Sequence, residues 1–370
     1  MKLLEKFFFS FALICAAFFL GGCQDVIFAN IRKEVKLNDG TVSGSIRALI
    51  RFEDGGQEYI YLANGKAVYR KASPKDVNEH KEGGWEKVCS GGSGGLGKYV
   101  VTLAADATHL YALAATWDEN TNKGQNRWYT RAIYASGDGG LNWSVVHNIP
   151  TSPTGTGSDN SEVYLFCTNT IKKDNRSAYF NVGGAGYKLS SGSATSSDDA
   201  KGAASCAYVG EPVFAPASST YSSTYYGSTS CTNEGMGGDA DGKVRYWSNG
   251  STLHWDGDVS GNKSVGSRIY SLAVTKDYIL VGTESGIEHY SLNSGGSVGG
   301  RDENFATNAD AIMSGGYEVN ALLVVDPSKN ETENTIYAAI DFEGRSQQFD
   351  HVCIWACYPW RSGSGKWNRD

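Results

Sequence analysis

The residues whose types and spacing could do chemistry crowd into one short stretch, Ser136-Gly-Asp138-Gly-Gly140-Leu-Asn-Trp143. A serine and an aspartate two positions apart among glycines could form a catalytic corner, a cation loop or a hydrogen-bonded turn. The same stretch recurs without a gap: RAIYASGDGGLNW aligns with KVRYWSNGSTLHW, pairing Tyr134 with Tyr246, Ser136 with Ser248, Leu141 with Leu253 and Trp143 with Trp255. In the second copy Gly250 replaces Asp138 and Thr252 replaces Gly140, while both tryptophans remain. A carboxylate dispensable in the repeat is a poor candidate for chemistry. In a tight turn Asp and Ser accept hydrogen bonds from neighbouring N–H groups, glycine supplies positive φ, and tryptophan packs. Ser136, Asp138, Gly140, Trp143, Ser248 and Trp255 are therefore expected to be structural, and no catalytic residue is expected.

Other candidates are weaker. Asp256-Gly-Asp258-Val-Ser260-Gly261 begins like a calcium loop, but Ser267 stands where the closing acid would be needed. Asp239 and Asp241 are similarly incomplete. Both read as solvated turns, with calcium the alternative, and no cofactor or metal is expected. The six histidines show no zinc spacing, and no GxSxG elbow marks a nucleophile. Binding is more legible. Ala115 to Arg131 is a long polar insertion carrying Trp117, Trp128 and Tyr129, and Ser218 to Ser230 is nearly all Tyr, Ser, Thr and Gly. Tyrosine supplies rigid amphipathic area and serine adaptable hydrogen bonds, so Trp117, Trp128 and Tyr129 are the expected partner-binding residues.

The elements that must position these residues are strands. The 370 residues include 46 Gly, 21 Tyr and 9 Trp, with 20% charged, which suits an all-β chain. Pairs of alternating runs recur, such as YVVTLAAD with LYALAATW and VNALLVV with TIYAAID, each followed by a third run holding an aromatic. Trp85, Trp143, Trp255 and Trp367 are spaced by 58, 112 and 112 residues, so the period is about 56. Four strands per unit at this length predict a β-propeller of six four-stranded blades, with seven the alternative. The propeller is expected over 42–370. A net charge of -7 with no offsetting basic run argues against nucleic acid as a partner.

The N-terminus carries Lys2 and Lys6, then apolar Phe7 to Phe19, too short to span a bilayer, then Leu20-Gly21-Gly22-Cys23. That ending resembles the bacterial lipobox. The resemblance implies a signal peptide over 1–22, lipid on Cys23, and a tether over 23–41 that could supply a ring-closing strand. The remaining body would be held to a membrane by acyl chains. Six cysteines then remain, an even number that suggests disulfides outside the cytoplasm, with Cys206 and Cys231 the favoured pair.

Ser136 to Trp143 resembles the Asp box of sialidase-type propellers, with Asn142 where threonine is usual. There the turn joins the third and fourth strands, away from the catalytic face. No arginine triad or Phe-Arg-Ile-Pro-like segment accompanies it, so the resemblance bears on fold and not on activity. Lipobox and propeller class together resemble surface lipoproteins of pathogenic bacteria, spirochaetes included. The expectation is a non-enzymatic binding module on the bacterial cell envelope, at the outer membrane or cell surface, with a protein or glycan partner. A periplasmic envelope-assembly scaffold is the alternative, and a glycan-cleaving sialidase-like enzyme the third.

Overall fold

The computed structural model describes residues 42, 44, 46–74, 84–117, 129–149, 163–167, 176–182, 185–197, 209–213, 221–225, 245–249, 251–256, 261–293, 297–301, 318–326, 333–341, 353–357 and 367–369. The chain is an all-β propeller. Its strands group in chain order. The first sheet holds β1 (Leu49–Asp54), β2 (Gln57–Ala63), β3 (Ala67–Ala72) and β4 (Glu86–Ser90). The second holds β5 (Tyr99–Ala105), β6 (Leu110–Trp117), β7 (Tyr129–Ser136) and β8 (Ser144–Ile149). The third holds β9 (Val163–Cys167), β10 (Ala178–Val182), β11 (Ala185–Ser190) and β12 (Ser193–Ser196). The fourth holds β13 (Val209–Val213), β14 (Tyr221–Tyr225), β15 (Arg245–Asn249), β16 (Thr252–Asp256) and β17 (Gly261–Ser264). The fifth holds β18 (Ile269–Val274), β19 (Tyr278–Thr283), β20 (Gly286–Leu292) and β21 (Val298–Arg301). The sixth holds β22 (Glu318–Val324), β23 (Ile336–Asp341), β24 (Ile354–Cys357) and β25 (Trp367–Arg369).

The first strands β1, β5, β9, β13, β18 and β22 touch in succession, and β22 returns to β1. This closure explains the sequence of the inner strands. A strand covered by a sheet on each side loses its polar alternation, and β19, YILVGT, is buried at every position after its first. Both faces of the first sheet are used accordingly. Ile50, Phe52 and Tyr61 pack toward the second sheet, whereas Leu49, Ile60 and Leu62 pack with Ala321, Leu323 and Tyr337 of the sixth.

The fourth sheet departs from the expected four strands. Its β14 and β15 run parallel, so the tight hairpin that joins antiparallel neighbours is not available there, and the sheet has five strands. Trp255 lies inside β16, opposite Tyr246 and Gly261, whereas Trp143 sits ahead of β8 after a wide turn. Gly261 is required beneath Trp255: a Cβ there would come within 2.4 Å of the indole.

The disulfide expectation is corrected for the described residues. Cys89, Cys167, Cys353 and Cys357 are buried thiols, and no disulfide joins them. Cys353 and Cys357 flank one extended run, which puts them about 13 Å apart along the strand at ~3.3 Å per residue. Cys206 and Cys231 lie outside the described residues, as do Cys23, Asp239, Asp241, Asp258, Ser260 and Trp128.

Candidate functional site

The two ends of the ring differ in chemistry. At one end lie the described turns that follow the first and third strands, and there polar side chains are bonded to the backbone. In the Ser136 to Trp143 turn, Asp138 Oδ1 accepts from Ser136 Oγ at 2.8 Å, Leu141 N at 3.1 Å and Asn142 N at 2.9 Å. Asn142 Nδ2 donates to Asp138 Oδ2 at 2.7 Å, and the Trp143 indole donates to Gly140 O at 2.8 Å. Burial pushes the Asp138 carboxyl up, but the hydrogen bonds from Asn142, Ser136 and Leu141 outweigh it and hold the group below the usual carboxylate range. Every oxygen of this carboxylate is engaged in holding its own turn.

The same end carries a charged clasp. Arg51, Glu58 and Arg176 come from the first and third sheets. Arg176 donates to Arg51 O at 3.1 Å and to Glu58 Oε2 at 2.8 Å. Arg51 Nη1 stands 4.0 Å from Glu58 Oε1 and Nη2 donates to the carbonyls of Val324 and Val325 in the sixth sheet. With side chains only 2% and 4% exposed, Arg176 and Arg51 are spent on joining three sheets.

The opposite end is built differently. The pairing of β5 with β6 slips at Val101, that of β18 with β19 at Tyr270, and that of β22 with β23 at Asn320. Register makes these one position. Each bulged residue stands three before the residue that faces Tyr111, Leu280 or Tyr337 on the second strand. In the first sheet the equivalent residue is Arg47, which is exposed. A bulge repeated at one level of three inner strands re-aims side chains there, as bulges beside active sites do.

At this level stand aromatic and charged side chains from three sheets. Tyr99 is 37% exposed and Lys98 Nζ lies 5.9 Å from its ring centre. The Arg268 guanidinium lies 5.6 Å from the Tyr270 ring. Glu318 and Asp341 are register partners across β22 and β23, both half-buried, and the Asn320 amide donates to Asp341 Oδ2 at 3.4 Å. Directly opposed residues leave from the same face of the sheet, so both carboxylates belong to one face of the β22–β23 pair. Among the described residues no group of three or more His, Cys, Asp or Glu is arranged to hold a metal.

Two of the three expected partner residues, Trp117 and Tyr129, fall at the same end. Trp117 and Tyr129 are register partners at the far end of the β6–β7 hairpin, two residues beyond the Ala115 that faces Tyr99. Sequence reasoning missed Glu318, Asn320 and Asp341. The available signal was a polar residue at each outer end of the apolar runs VNALLVV and IYAAI.

No protein-family model matches the chain, and no curated protein matches it. Solved structures resemble it in fold. A protein of Thermus thermophilus described as an oxidoreductase (glucose dehydrogenase) shares 13% identity at a TM-score of 0.41, over 84% of this chain and 94% of that one. BBS1N in its complex with ARL6DN shares 8% identity at a TM-score of 0.36, over 87% and 82%. An ancestral GH74 enzyme shares 13% identity at a TM-score of 0.38, over 90% of this chain and 47% of that one, so this chain spans about half its length. The expectation of a non-enzymatic binding module, and of no enzyme, is corrected by this comparison. The solved structures include that oxidoreductase, the ancestral GH74 enzyme and the GH74 xyloglucanase from Xanthomonas campestris. At these identities what is common is the fold, so the chemistry has to be argued from this chain's own side chains.

Proposed function

We propose that this chain is a glycan-cleaving propeller enzyme held on a bacterial envelope by lipid on Cys23. The observation that carries the reading is the opposition of Glu318 and Asp341 at the bulged end of the ring. Directly opposed residues in an antiparallel pair project from the same face as close neighbours, so both carboxyl groups can face one substrate. Glycoside cleavage with retention uses two carboxyl groups about 5–5.5 Å apart, one protonating the leaving oxygen and the other attacking the anomeric carbon. Asn320 orients Asp341 by its hydrogen bond, which assigns Asp341 as nucleophile and Glu318 as acid. Protonated Glu318 gives its proton to the glycosidic oxygen as that bond breaks, then takes a proton from the water that releases the sugar from Asp341. Tyr99 and Tyr270 supply ring faces on which a sugar can stack. The Ser136 to Trp143 turn reads in this scheme as an Asp box with a scaffold role.

The test is turnover of a panel of fluorogenic glycosides by the wild type, Glu318→Gln, Asp341→Asn and the double variant carrying both. Either substitution is expected to lower kcat by about 100-fold or more, the scale of general acid–base catalysis. Turnover by the wild type no higher than by the double variant across the panel overturns the assignment. Protease treatment of intact cells distinguishes display on the surface, where the body is degraded, from a periplasmic position, where it is spared.

A further inference from the structure

We infer that Ser271 and Gly282 of the fifth sheet are positioning residues for the carboxyl pair of the sixth, an inference that rests on reading Glu318 and Asp341 as glycan-cleaving. The link is the Val319 carbonyl. Val319 lies between Glu318 and the bulged Asn320, whose amide donates to Asp341. The Ser271 hydroxyl donates to Val319 O at 3.0 Å across the seam of the two sheets. Ser271 directly follows Tyr270, the bulged residue of β18, so one hydrogen bond ties the bulge of the fifth sheet to that of the sixth. Ser271 is 2% exposed and Val319 fully buried, so water does not compete for this bond.

Gly282 makes the bond possible. It is the register partner of Ser271 on β19, and the residues in the equivalent place of the second and sixth sheets are Leu113 and Ala339. Its backbone does not call for glycine, since its φ is not positive. Space does: a Cβ on Gly282 would come within 2.2 Å of Ser271 Oγ and 2.7 Å of Val319 O. Glycine inside a strand weakens it and marks close approach of another backbone, and here that backbone is Val319. The second sheet ties its bulge differently. Val100, the residue ahead of that bulge, donates its own N–H to Gly65 O of the first sheet at 3.2 Å. Both partners there are backbone groups, whereas the sheet that carries the carboxyl pair is held by a specific serine and a specific glycine. Glu318 and Asn320 leave the chain on either side of Val319, so a shift of Val319 moves the acid and withdraws the amide from the nucleophile. Misplacement by about 1 Å can cost on the order of 100-fold in rate.

The test pairs turnover with a readout that needs no turnover. Wild type, Ser271→Ala and Gly282→Ala are compared on the fluorogenic glycoside that the wild type cleaves fastest, well below their unfolding midpoints. In protein labelled with 15N-amide asparagine, the Asn320 side-chain signal is identified by its loss in Asn320→Ser. Both variants are expected to lower kcat about tenfold or more with KM within about twofold, and to move the Asn320 signal. If alanine at 271 prevents folding, Ser271→Cys keeps the size and weakens the hydrogen bond, and it should show the same changes to a smaller degree. Wild-type kcat in a folded Ser271→Ala or Ser271→Cys overturns the inference. So does a lower kcat with the Asn320 signal unmoved, which would mark a role in stability alone. Where the wild type cleaves nothing, the enzyme reading falls by itself: an Asn320 signal that moves in Ser271→Ala then sustains the control of the carboxyl pair by Ser271, and one that stays removes that as well.

Discussion

The Tyr111 hydroxyl donates to Asp106 Oδ2 at 2.6 Å, and both residues then receive the third sheet: Ser191 N–H donates to Asp106 at 3.0 Å and Gly192 N–H to Tyr111 at 3.1 Å. One seam earlier, the Tyr61 hydroxyl donates to Gly139 O at 3.2 Å. A second-strand tyrosine thus stitches its sheet to the third turn of the next. At the closing seam Tyr337 of the sixth sheet meets Trp85 of the first edge to face, with ring centres 6.1 Å apart. Tyr61, Tyr111, Tyr179 and Tyr337 are the largest fully buried side chains described. Burial pushes the Tyr61 hydroxyl up to about 12, and burial with the Asp106 bond raises that of Tyr111 further, so both remain donors at any physiological pH.

Asp106 is therefore a structural acceptor whose removal is expensive. Asp106→Ala strands the N–H groups of Thr108, His109 and Ser191 and the Tyr111 hydroxyl. The expected loss is about 3 kcal/mol or more, read by urea unfolding, and Tyr111→Phe should lose about 1 kcal/mol. Equal stability of Asp106→Ala and wild type would show that water replaces the carboxylate.

Acid should loosen the fold through Asp138 and through two histidines. A carboxyl held below its unfolded value contributes stability that is complete above about pH 4 and lost as pH falls through the folded value. Burial likewise lowers His147 and His254, so their contribution is present above about pH 6.5 and declines below it. His147 packs on the stacked pair of Phe180 and Tyr187 rings, 5.0 Å and 4.8 Å away, which puts this effect at the seam of the second and third sheets. Melting temperatures from pH 7 to 5 should fall less in His147→Gln than in wild type, and from pH 5 to 3 less in Asp138→Asn.

Trp143 and Trp255 are 6% and 8% exposed. Replacing either with alanine should cost on the order of 3 to 5 kcal/mol. Losses below about 1 kcal/mol at both would exclude them as packing residues. Trp143→Phe is the more telling single change, because it keeps most of the packing but removes the N–H bonded to Gly140 O.

Cys23→Ser should move the protein from the membrane fraction to the aqueous phase of a detergent partition and abolish incorporation of labelled fatty acid. Retention in the detergent phase would refute acylation at Cys23.

The strands were legible in the sequence because burial of both faces leaves runs such as TIYAAID and YILVGT between turn residues, and the propeller because tryptophan returns at multiples of about 56 residues. The tyrosine that follows the first residue of IYAAID and LYALAATW was visible too, though its partner across each seam was not. What only the tertiary structure decided was pairing. A bulge at Val101, Tyr270 or Asn320 arises from a mismatch between two strands and leaves no mark in either alone. Glu318 and Asp341 stand opposite because of the register in which β22 pairs with β23, and register follows from how side chains pack on both faces of the two strands. The Arg51, Glu58 and Arg176 clasp joins residues more than a hundred positions apart, which ring closure alone brings within hydrogen-bonding distance.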